Sequence, residues 1–216
     1  CFAAAACPAT NRSAIHGMYQ KTFGTIRFKK QAFELLEGTS YMKTVLLVID
    51  VQQAMVDARP ARVDEFMLNL KILIDAAHQS GTEVVYVRHD GGEGDVLAYG
   101  TPDWQIDRSL SPRAEERIFD KRFGSAFRQT GLHDYLASRE ITRLVVCGMQ
   151  TEYCIDTSVK VAFEFGYEVV IPSGATTTYT NPFLSGDKLI NYYERMIWHE
   201  PLAKVVDMEA ALSLLA

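Results

Sequence analysis

Residues 145–170 have the sequence VVCGMQTEYCIDTSVKVAFEFGYEVV, which holds one complete unit of an α/β fold. The apolar run at 144–147 predicts a buried strand, and residues 148–153 predict a turn. Helical spacing over 155–165, followed by Gly166, predicts a helix that ends at that glycine. The run at 167–171 predicts a second strand. A strand, a helix and a strand in this order indicate two parallel strands joined by a right-handed crossover.

The same alternation continues on both sides of this stretch. Four more strands are predicted at 45–49, 83–87, 118–121 and 204–206. Helices are predicted at 63–77, ending by Gly81, and at 132–138, 186–196 and 208–215. Continuous apolar strands are buried on both faces, so helices must cover both sides of the sheet. The sequence therefore predicts an α/β fold, a three-layer α/β/α domain with a six-stranded, mostly parallel sheet.

The composition is typical of a single globular domain. Of 216 residues, 48% are hydrophobic, and 22 Lys and Arg against 27 Asp and Glu give a net charge of −5. Such a chain has no general attraction to nucleic acid or anionic membranes, and no apolar run approaches the roughly 18–20 residues that span a bilayer. Four cysteines without a CxxC pair favour neither a disulfide framework nor a zinc site. We therefore expect neither nucleic acid nor a membrane as partner.

The N-terminal segment differs in composition from the rest of the chain. Between Cys1 and Phe33 there is no Asp or Glu, whereas five Lys or Arg occur. This composition resembles an organellar transit peptide, although a non-native extension or an ordinary N-terminal arm explains it equally well. We therefore divide the chain into an arm at 1–41, which contains Cys1 and Cys7, and a domain at 42–216. The expected location is cytoplasmic, or mitochondrial if the arm is a transit segment.

Three reactive side chains stand directly after predicted strands. Asp50 follows the first strand, Lys121 the third, and Cys154 the turn after the fourth. The carboxyl ends of parallel strands meet at one edge, where the helix N-terminus and the lysine are expected to favour a cysteine thiolate. A nearby carboxylate can accept the thiol proton and deliver it to a leaving amine. Taken singly, each residue has a structural explanation: capping for Asp50, solvent exposure for Lys121, and packing for Cys154, as for Cys147 in its strand.

Three motifs together resemble those of the isochorismatase-like cysteine hydrolases. They are LLVIDVQ at 46–52, FDKRFGSAF at 119–127 and the stretch at 145–170, and the resemblance extends from about Met42 to the C-terminus. This family includes nicotinamidases, N-carbamoyl amide hydrolases and isochorismatases. The resemblance implies a hydrolase of a small molecule, and also a homo-oligomer, either a dimer or a tetramer.

The resemblance also implies a role for each residue of the predicted site. Asp50 corresponds to the general base, Lys121 to the central lysine and Cys154 to the nucleophile. The family carries a cis peptide bond that here falls between Met149 and Gln150. The N–H groups of Gln150 and Cys154 are then expected to form the oxyanion hole.

Metal binding is not expected from the residues that follow the second strand. Nicotinamidases of this family place one Asp and two His there, whereas RHDGGEGD at 88–95 supplies only His89 and Asp90, and the next histidine is His133. Two ligands do not complete such a site, so we predict no metal and no cofactor, and assign His89 to the loop or the pocket lining.

Retention of Cys154 favours hydrolysis of a small amide or related C–N bond through a thioester. The alternatives are isochorismatase-type vinyl ether hydrolysis, nicotinamide hydrolysis, and a catalytically silent member that binds a metabolite.

Five side chains near the strand ends are predicted to bind substrate. They are Gln52, Trp104, Phe123, Tyr153 and Tyr179. Trp104 is the preferred wall residue, because LAYGTPDWQI at 97–106 resembles a loop that covers the active site in relatives. Packing explains each of them equally well, because aromatic side chains are common in protein cores.

Overall fold

The computed structural model describes residues 42–216, so the predictions for the arm at 1–41, with Cys1 and Cys7, lie outside the described residues. Seven parallel strands form one sheet in the order β3-β2-β1-β4-β5-β7, with β6 paired to the end of β4. The strands are β1 Thr44–Ile49, β2 Glu83–His89, β3 Arg117–Lys121, β4 Arg143–Met149, β5 Glu168–Pro172, β6 Thr176–Thr177 and β7 Lys204–Val206. The predicted six are all present. The additional strand, β6, has two residues and is too short to leave a pattern in the sequence.

Six α-helices occur among residues 42–216. They are α1 Gln53–Asp57, α2 Val63–Ser80, α3 Leu132–Ser138, α4 Asp156–Glu164, α5 Gly186–Tyr192 and α6 Met208–Leu215. Two π-helical turns adjoin these helices. Thr151–Ile155, before α4, lies mostly in the predicted turn, and Tyr193–Ile197, after α5, lies mostly in the predicted helix at 186–196. Within residues 42–216, none of these helices combines the length and the apolar character that crossing a membrane requires.

The central strand β1 is buried on both faces, which establishes the three layers. Val45, Leu47 and Ile49 pack in one apolar cluster with residues of α3 and α4, whereas Leu46 and Val48 pack in a second cluster with residues of α2 and α6. All five side chains are 0% exposed. Burial of each contributes about 1.5–3 kcal/mol relative to an exposed position, so the register of β1 is strongly specified.

A glycine near the end of β4 allows a close approach to β1. Gly148 has φ 125°, and a Cβ built on it would lie 2.0 Å from the carbonyl oxygen of Ile49. Any side chain at this position would therefore collide with the backbone directly before Asp50. The close packing brings the end of β4, with the turn that follows, next to the end of β1.

Candidate active site

The structure brings the three predicted catalytic residues together at the carboxyl edge of the sheet. The Nζ atom of Lys121 lies 2.7 Å from Oδ2 of Asp50 and 3.2 Å from Sγ of Cys154. Because β2 separates β3 from β1, the lysine side chain must pass over the end of β2 to reach both partners. A long, unbranched side chain is therefore required at position 121.

Asp50 is held in an unusual backbone conformation at the end of β1. Its φ is 56°, in the left-handed region, which Asp and Asn tolerate better than most residues. Its N–H donates to the carbonyl of Val87 at 2.9 Å, and the residue is 3% exposed. Apart from the ion pair with Lys121, neither carboxylate oxygen has a hydrogen-bond partner among the described residues. The carboxylate is thus free to accept a proton inside the site.

The ammonium of Lys121 is enclosed by acceptors. It donates to the carbonyl of Phe123 at 3.1 Å and lies 3.1 Å from Nδ1 of His89, in addition to its contacts with Asp50 and Cys154. Its side chain has 0% exposure. A buried charge needs such partners, because desolvation of an unpaired ammonium is costly.

Cys154 lies in the π-helical turn that precedes α4. The carbonyl of Gln150 accepts from the N–H groups of Tyr153 at 3.1 Å and Ile155 at 3.2 Å, which closes the turn around the cysteine. Ser158 donates to the carbonyl of Cys154 at 2.6 Å and accepts from the N–H of Ala126 at 2.9 Å. The serine therefore ties the nucleophile turn to the loop that follows β3. Single π-helical turns within α-helices are frequent at functional sites.

The peptide bond between Met149 and Gln150 is cis, as the resemblance implies. Among residues 42–216, the N–H of Gln150 donates to no backbone carbonyl. This group therefore remains available to a ligand, as an oxyanion donor requires.

The electrostatics of the site correct one expectation. Burial, followed by the Asp50 carboxylate, raises the pKa of the Cys154 thiol to about 12, against the lowering effect of Lys121. Burial also raises the pKa of Asp50, again against Lys121. We expected the helix N-terminus and the lysine to favour a thiolate, but desolvation outweighs them. The shift in pKa therefore favours the thiol form of Cys154 over the thiolate.

Two of the predicted wall residues, Gln52 and Trp104, are buried and contribute to the framework of the loop. Gln52 is 0% exposed, and its amide group donates to the carbonyls of His89 at 2.9 Å and Trp104 at 2.8 Å. Its oxygen accepts from the N–H of His89 at 2.8 Å. Trp104 is 3% exposed beneath Arg88, whose guanidinium carbon lies 3.6 Å from the ring centroid. Both residues hold the loop at 90–106 against the sheet and present little surface to a ligand.

The other predicted wall residues differ in their surroundings. Tyr179 donates its hydroxyl to the carbonyl of Met55 at 2.5 Å, which leaves that oxygen occupied in a contact within the chain. Tyr153 is 59% exposed beside Cys154. Phe123 lines a pocket of about 300 Å³ next to Lys121. The guanidinium of Arg128, which also lines this pocket, stacks 3.8 Å from the Phe123 ring centroid. Substrate contact by Phe123 and Tyr153 remains a prediction.

The residues considered for a metal site are engaged in other contacts. Asp90 pairs with Arg122 at 2.8 Å, and His89 faces Lys121. His133 lies in α3, where it contacts the hydroxyl of Tyr167 at 3.0 Å. In the part of the chain that the structure describes, no group of three or more His, Cys, Asp or Glu side chains is arranged to hold a metal ion.

The family model described as Isochorismatase domain matches residues 44–190. The chain belongs to the isochorismatase family. Over 143 residues it is 34% identical to streptothricin hydrolase from Streptomyces noursei, covering 65% of this chain and 57% of that protein. It is 26% identical over 174 residues to ureidoacrylate amidohydrolase from Rhizobium rhizogenes, covering 67% and 70% of the two chains. The match spans about half the length of the two streptothricin hydrolases it resembles.

The fold of this isochorismatase-family chain is also similar to solved structures. The crystal structure of an isochorismatase from Pseudomonas putida KT2440 has a TM-score of 0.73 and 25% sequence identity to it. The similarity covers 81% of this chain and 93% of the other. The predicted membership of the family and its α/β fold are thus confirmed.

Sequence reasoning missed the contact between His89 and Lys121. The position of His89 at the end of β2 is readable in the sequence, since it follows the second apolar run. His89 was predicted to lie in the loop or the pocket lining because the partners for a metal site are missing. Its contact with Lys121, 32 residues away, leaves no local pattern in the sequence.

Proposed function

We propose that this protein is a cysteine hydrolase that cleaves a small amide or related C–N bond through a thioester on Cys154. The observation that carries the proposal is the single ammonium of Lys121 placed between a carboxylate at 2.7 Å and a thiol sulfur at 3.2 Å. A base, a nucleophile and a shared cation in contact meet the geometric requirement for covalent acyl transfer.

The first step is transfer of the thiol proton to Asp50. Before transfer the negative charge lies on the carboxylate, and afterwards it lies on sulfur, but the ammonium contacts both positions. The net charge of the buried site is therefore unchanged. Burial raises the pKa of both acidic groups, so the proton passes between two desolvated partners and no charge has to leave or enter water.

Acylation follows from attack of the sulfur on the substrate carbonyl. The S–C bond forms as the C=O electron pair moves to oxygen, and the N–H groups of Gln150 and Cys154 stabilise the oxyanion. The proton on Asp50 then passes to the substrate nitrogen as the C–N bond breaks. Ammonia or an amine leaves, and the acyl group remains on Cys154 as a thioester.

Deacylation reverses the roles of the same groups. Water gives a proton to Asp50 while its oxygen attacks the thioester carbonyl, and collapse of the second tetrahedral intermediate expels sulfur. Asp50 returns the proton to the thiolate, which restores the resting thiol. One water is consumed, and the acid derived from the substrate is released.

Two of the similar proteins support amide hydrolysis by their names. The relative from Rhizobium rhizogenes is an amidohydrolase of ureidoacrylate, and a relative from Arabidopsis thaliana, 28% identical over 62% of this chain, is a nicotinamidase. The runner-up is vinyl ether hydrolysis, which the likeness to an isochorismatase favours. The contact of Cys154 with Lys121 argues for acyl transfer, because hydrolysis of a vinyl ether needs no acyl acceptor.

Trapping of the thioester tests the proposal. The full chain is mixed with nicotinamide, ureidoacrylate, N-carbamoyl amino acids or isochorismate, quenched in acid, and analysed for adduct mass and released ammonia. We expect an acyl adduct on Cys154 with at least one amide. Fragment ions must locate it, because Cys147 and Cys154 share the tryptic peptide at 144–160. Turnover of isochorismate alone, without an adduct, would instead support the ether reaction.

The activity is expected to decline on the acidic side at a higher pH than an exposed aspartate would require. Asp50 accepts a proton only when ionised, and its raised pKa means that protonation sets in above the ordinary value of about 4. A profile of kcat/KM against pH should therefore fall with a midpoint above that value while circular dichroism shows an intact fold. Activity that stays constant down to about pH 4 would contradict this assignment. Burial and the charge of Lys121 lower the pKa of His89, so protonation of His89 is a second possible cause of a decline at acidic pH. A His89→Asn variant that still shows the decline would identify Asp50 as the group responsible.

A further inference from the structure

We propose that His89 is a positioning residue that holds the Lys121 ammonium between Asp50 and Cys154. The inference rests on the proposed function, since it concerns the same nucleophile, and it assigns a role to a residue that the reaction steps above do not use. Nδ1 of His89 lies 3.1 Å from Nζ of Lys121, at the end of the strand over which the lysine passes.

The contact determines the form of the imidazole. An ammonium has hydrogens and no lone pair, so Nδ1 must accept, and the ring is neutral with its proton on Nε2. Burial and the charge of Lys121 lower the pKa of His89, and the carboxylates of Asp50, Asp95 and Asp90 oppose them. The lowered pKa agrees with a neutral ring at neutral pH.

The backbone of His89 is itself held in place. The amide of Gln52 bonds to both the N–H and the carbonyl of His89, at 2.8 and 2.9 Å, and reaches the carbonyl of Trp104 at 2.8 Å. Gln52 is 0% exposed, so water does not compete for these bonds. The backbone that carries the imidazole is therefore fixed, which is what positioning of a flexible lysine requires.

The hydrogens of the ammonium explain what this acceptor does. Three hydrogens face four neighbours: Oδ2 of Asp50 at 2.7 Å, Nδ1 of His89 and the carbonyl of Phe123 at 3.1 Å each, and Sγ of Cys154 at 3.2 Å. Two neutral acceptors engage two hydrogens, and the third serves the carboxylate or the sulfur as negative charge moves between them. Without His89, one hydrogen loses its acceptor and the ammonium can turn fully toward Asp50, away from the sulfur.

Two substitutions of His89 distinguish a role as hydrogen-bond acceptor from a role in packing alone. His89→Asn can keep an oxygen near the position of Nδ1, whereas His89→Leu fills similar space without an acceptor. The first measurement is the rate at which iodoacetamide alkylates Cys154, followed by fragment-ion mass spectrometry, which needs no substrate. The second is kcat and KM for whichever amide is turned over. His199→Asn makes the same change at an exposed histidine and serves as the control.

We expect His89→Leu to lower both the alkylation rate and kcat by about 10- to 100-fold, the effect of losing a hydrogen bond to a charged group. KM should change by less than about 3-fold, because the lost contact does not touch substrate. His89→Asn should restore most of both rates, and His199→Asn should leave them unchanged. If the leucine variant does not fold, His89→Ala replaces it in the same comparison.

The contradicting outcomes are distinct. Unchanged alkylation in His89→Leu, or equal losses in the leucine and asparagine variants, would overturn the positioning role. A rise in KM with unchanged alkylation would indicate a substrate contact instead and would also overturn it. If alkylation follows the expected order while none of the amides is hydrolysed, the proposed amide hydrolysis fails and the arrangement of His89, Lys121 and Cys154 stands.

Discussion

Replacement of Cys154 by alanine is expected to reduce amide turnover by roughly 10⁴-fold or more, because no other described side chain lies in place to form the acyl intermediate. The thiol sulfur lies 3.2 Å from the ammonium that also pairs with the buried carboxylate of Asp50. The measurement is kcat for the amide that gives the adduct, with the mass spectrum expected to show no acylated protein.

The matched control is Cys147→Ala. Cys147 is 0% exposed in β4, and its thiol lies 3.7 Å from the carbonyl of Leu47, remote from the ammonium. Its loss should reduce stability through a small cavity while kcat is retained. If Cys154→Ala hydrolyses amides at the rate of the unmodified protein, the covalent mechanism is wrong. If it loses amide turnover but retains vinyl ether hydrolysis, the two reactions use the site differently.

Replacement of Lys121 by methionine should both inactivate and destabilise the protein. The methionine keeps the length of the side chain but leaves the Asp50 carboxylate, 3% exposed, without its counter-charge. Removal of one partner of a buried ion pair costs about 3–5 kcal/mol in the free energy of unfolding. Urea denaturation at neutral pH measures this loss, and activity should fall by about 10²–10⁴-fold, as expected when proton transfer fails.

Two comparisons show whether the buried charge is the cause. Adding Asp50→Asn to Lys121→Met removes the uncompensated carboxylate, so stability should recover in large part while activity does not, and Asn tolerates the positive φ at this position. Arg59→Met breaks a pair with Asp64 in which both side chains are exposed, at 67% and 82%, and should cost less than about 1 kcal/mol. Equal losses at positions 121 and 59 would contradict the argument from burial.

The pH dependence of the Lys121→Met variant has a definite sign. An unpaired buried carboxylate is destabilising when ionised, and its folded pKa then lies above the unfolded value. The folded state therefore binds the proton more readily, so the loss of stability should shrink as the pH falls through the raised pKa. A loss that is the same at pH 5 and pH 8 would show that a packing defect is responsible.

Much of the fold was predictable because its signals are local. The helix Leu132–Ser138 and the strand Lys204–Val206 were predicted with their exact bounds. The strand Thr176–Thr177 was not, because two threonines show no period. The π-helical turn at Thr151–Ile155 was predicted as a plain turn, since its hydrogen bonds follow from the carbonyl of Gln150 rather than from residue type.

Within the site, the sequence predicted which residues meet where the order of the strands decides it. It did not predict contacts between side chains that are distant in the chain. The meeting of Asp50, Lys121 and Cys154 was predictable, because parallel strands bring their carboxyl ends to one edge of the sheet. Gln52 was predicted to face substrate, but its partners, His89 and Trp104, lie 37 and 52 residues away in the chain. No spacing in the sequence reports such contacts.

The sequence by itself therefore determined the family, the α/β layers and the order in which carboxylate, lysine and cysteine reach the site. Only the tertiary structure decided how these groups are charged and held. The pKa values of Asp50 and Cys154 depend on burial, which is a property of the packed chain, and burial raises both despite the ammonium beside them. The neutral imidazole of His89 likewise acquires its contact with Lys121 only when β2 and β3 pair, because the strand register places the two residues side by side.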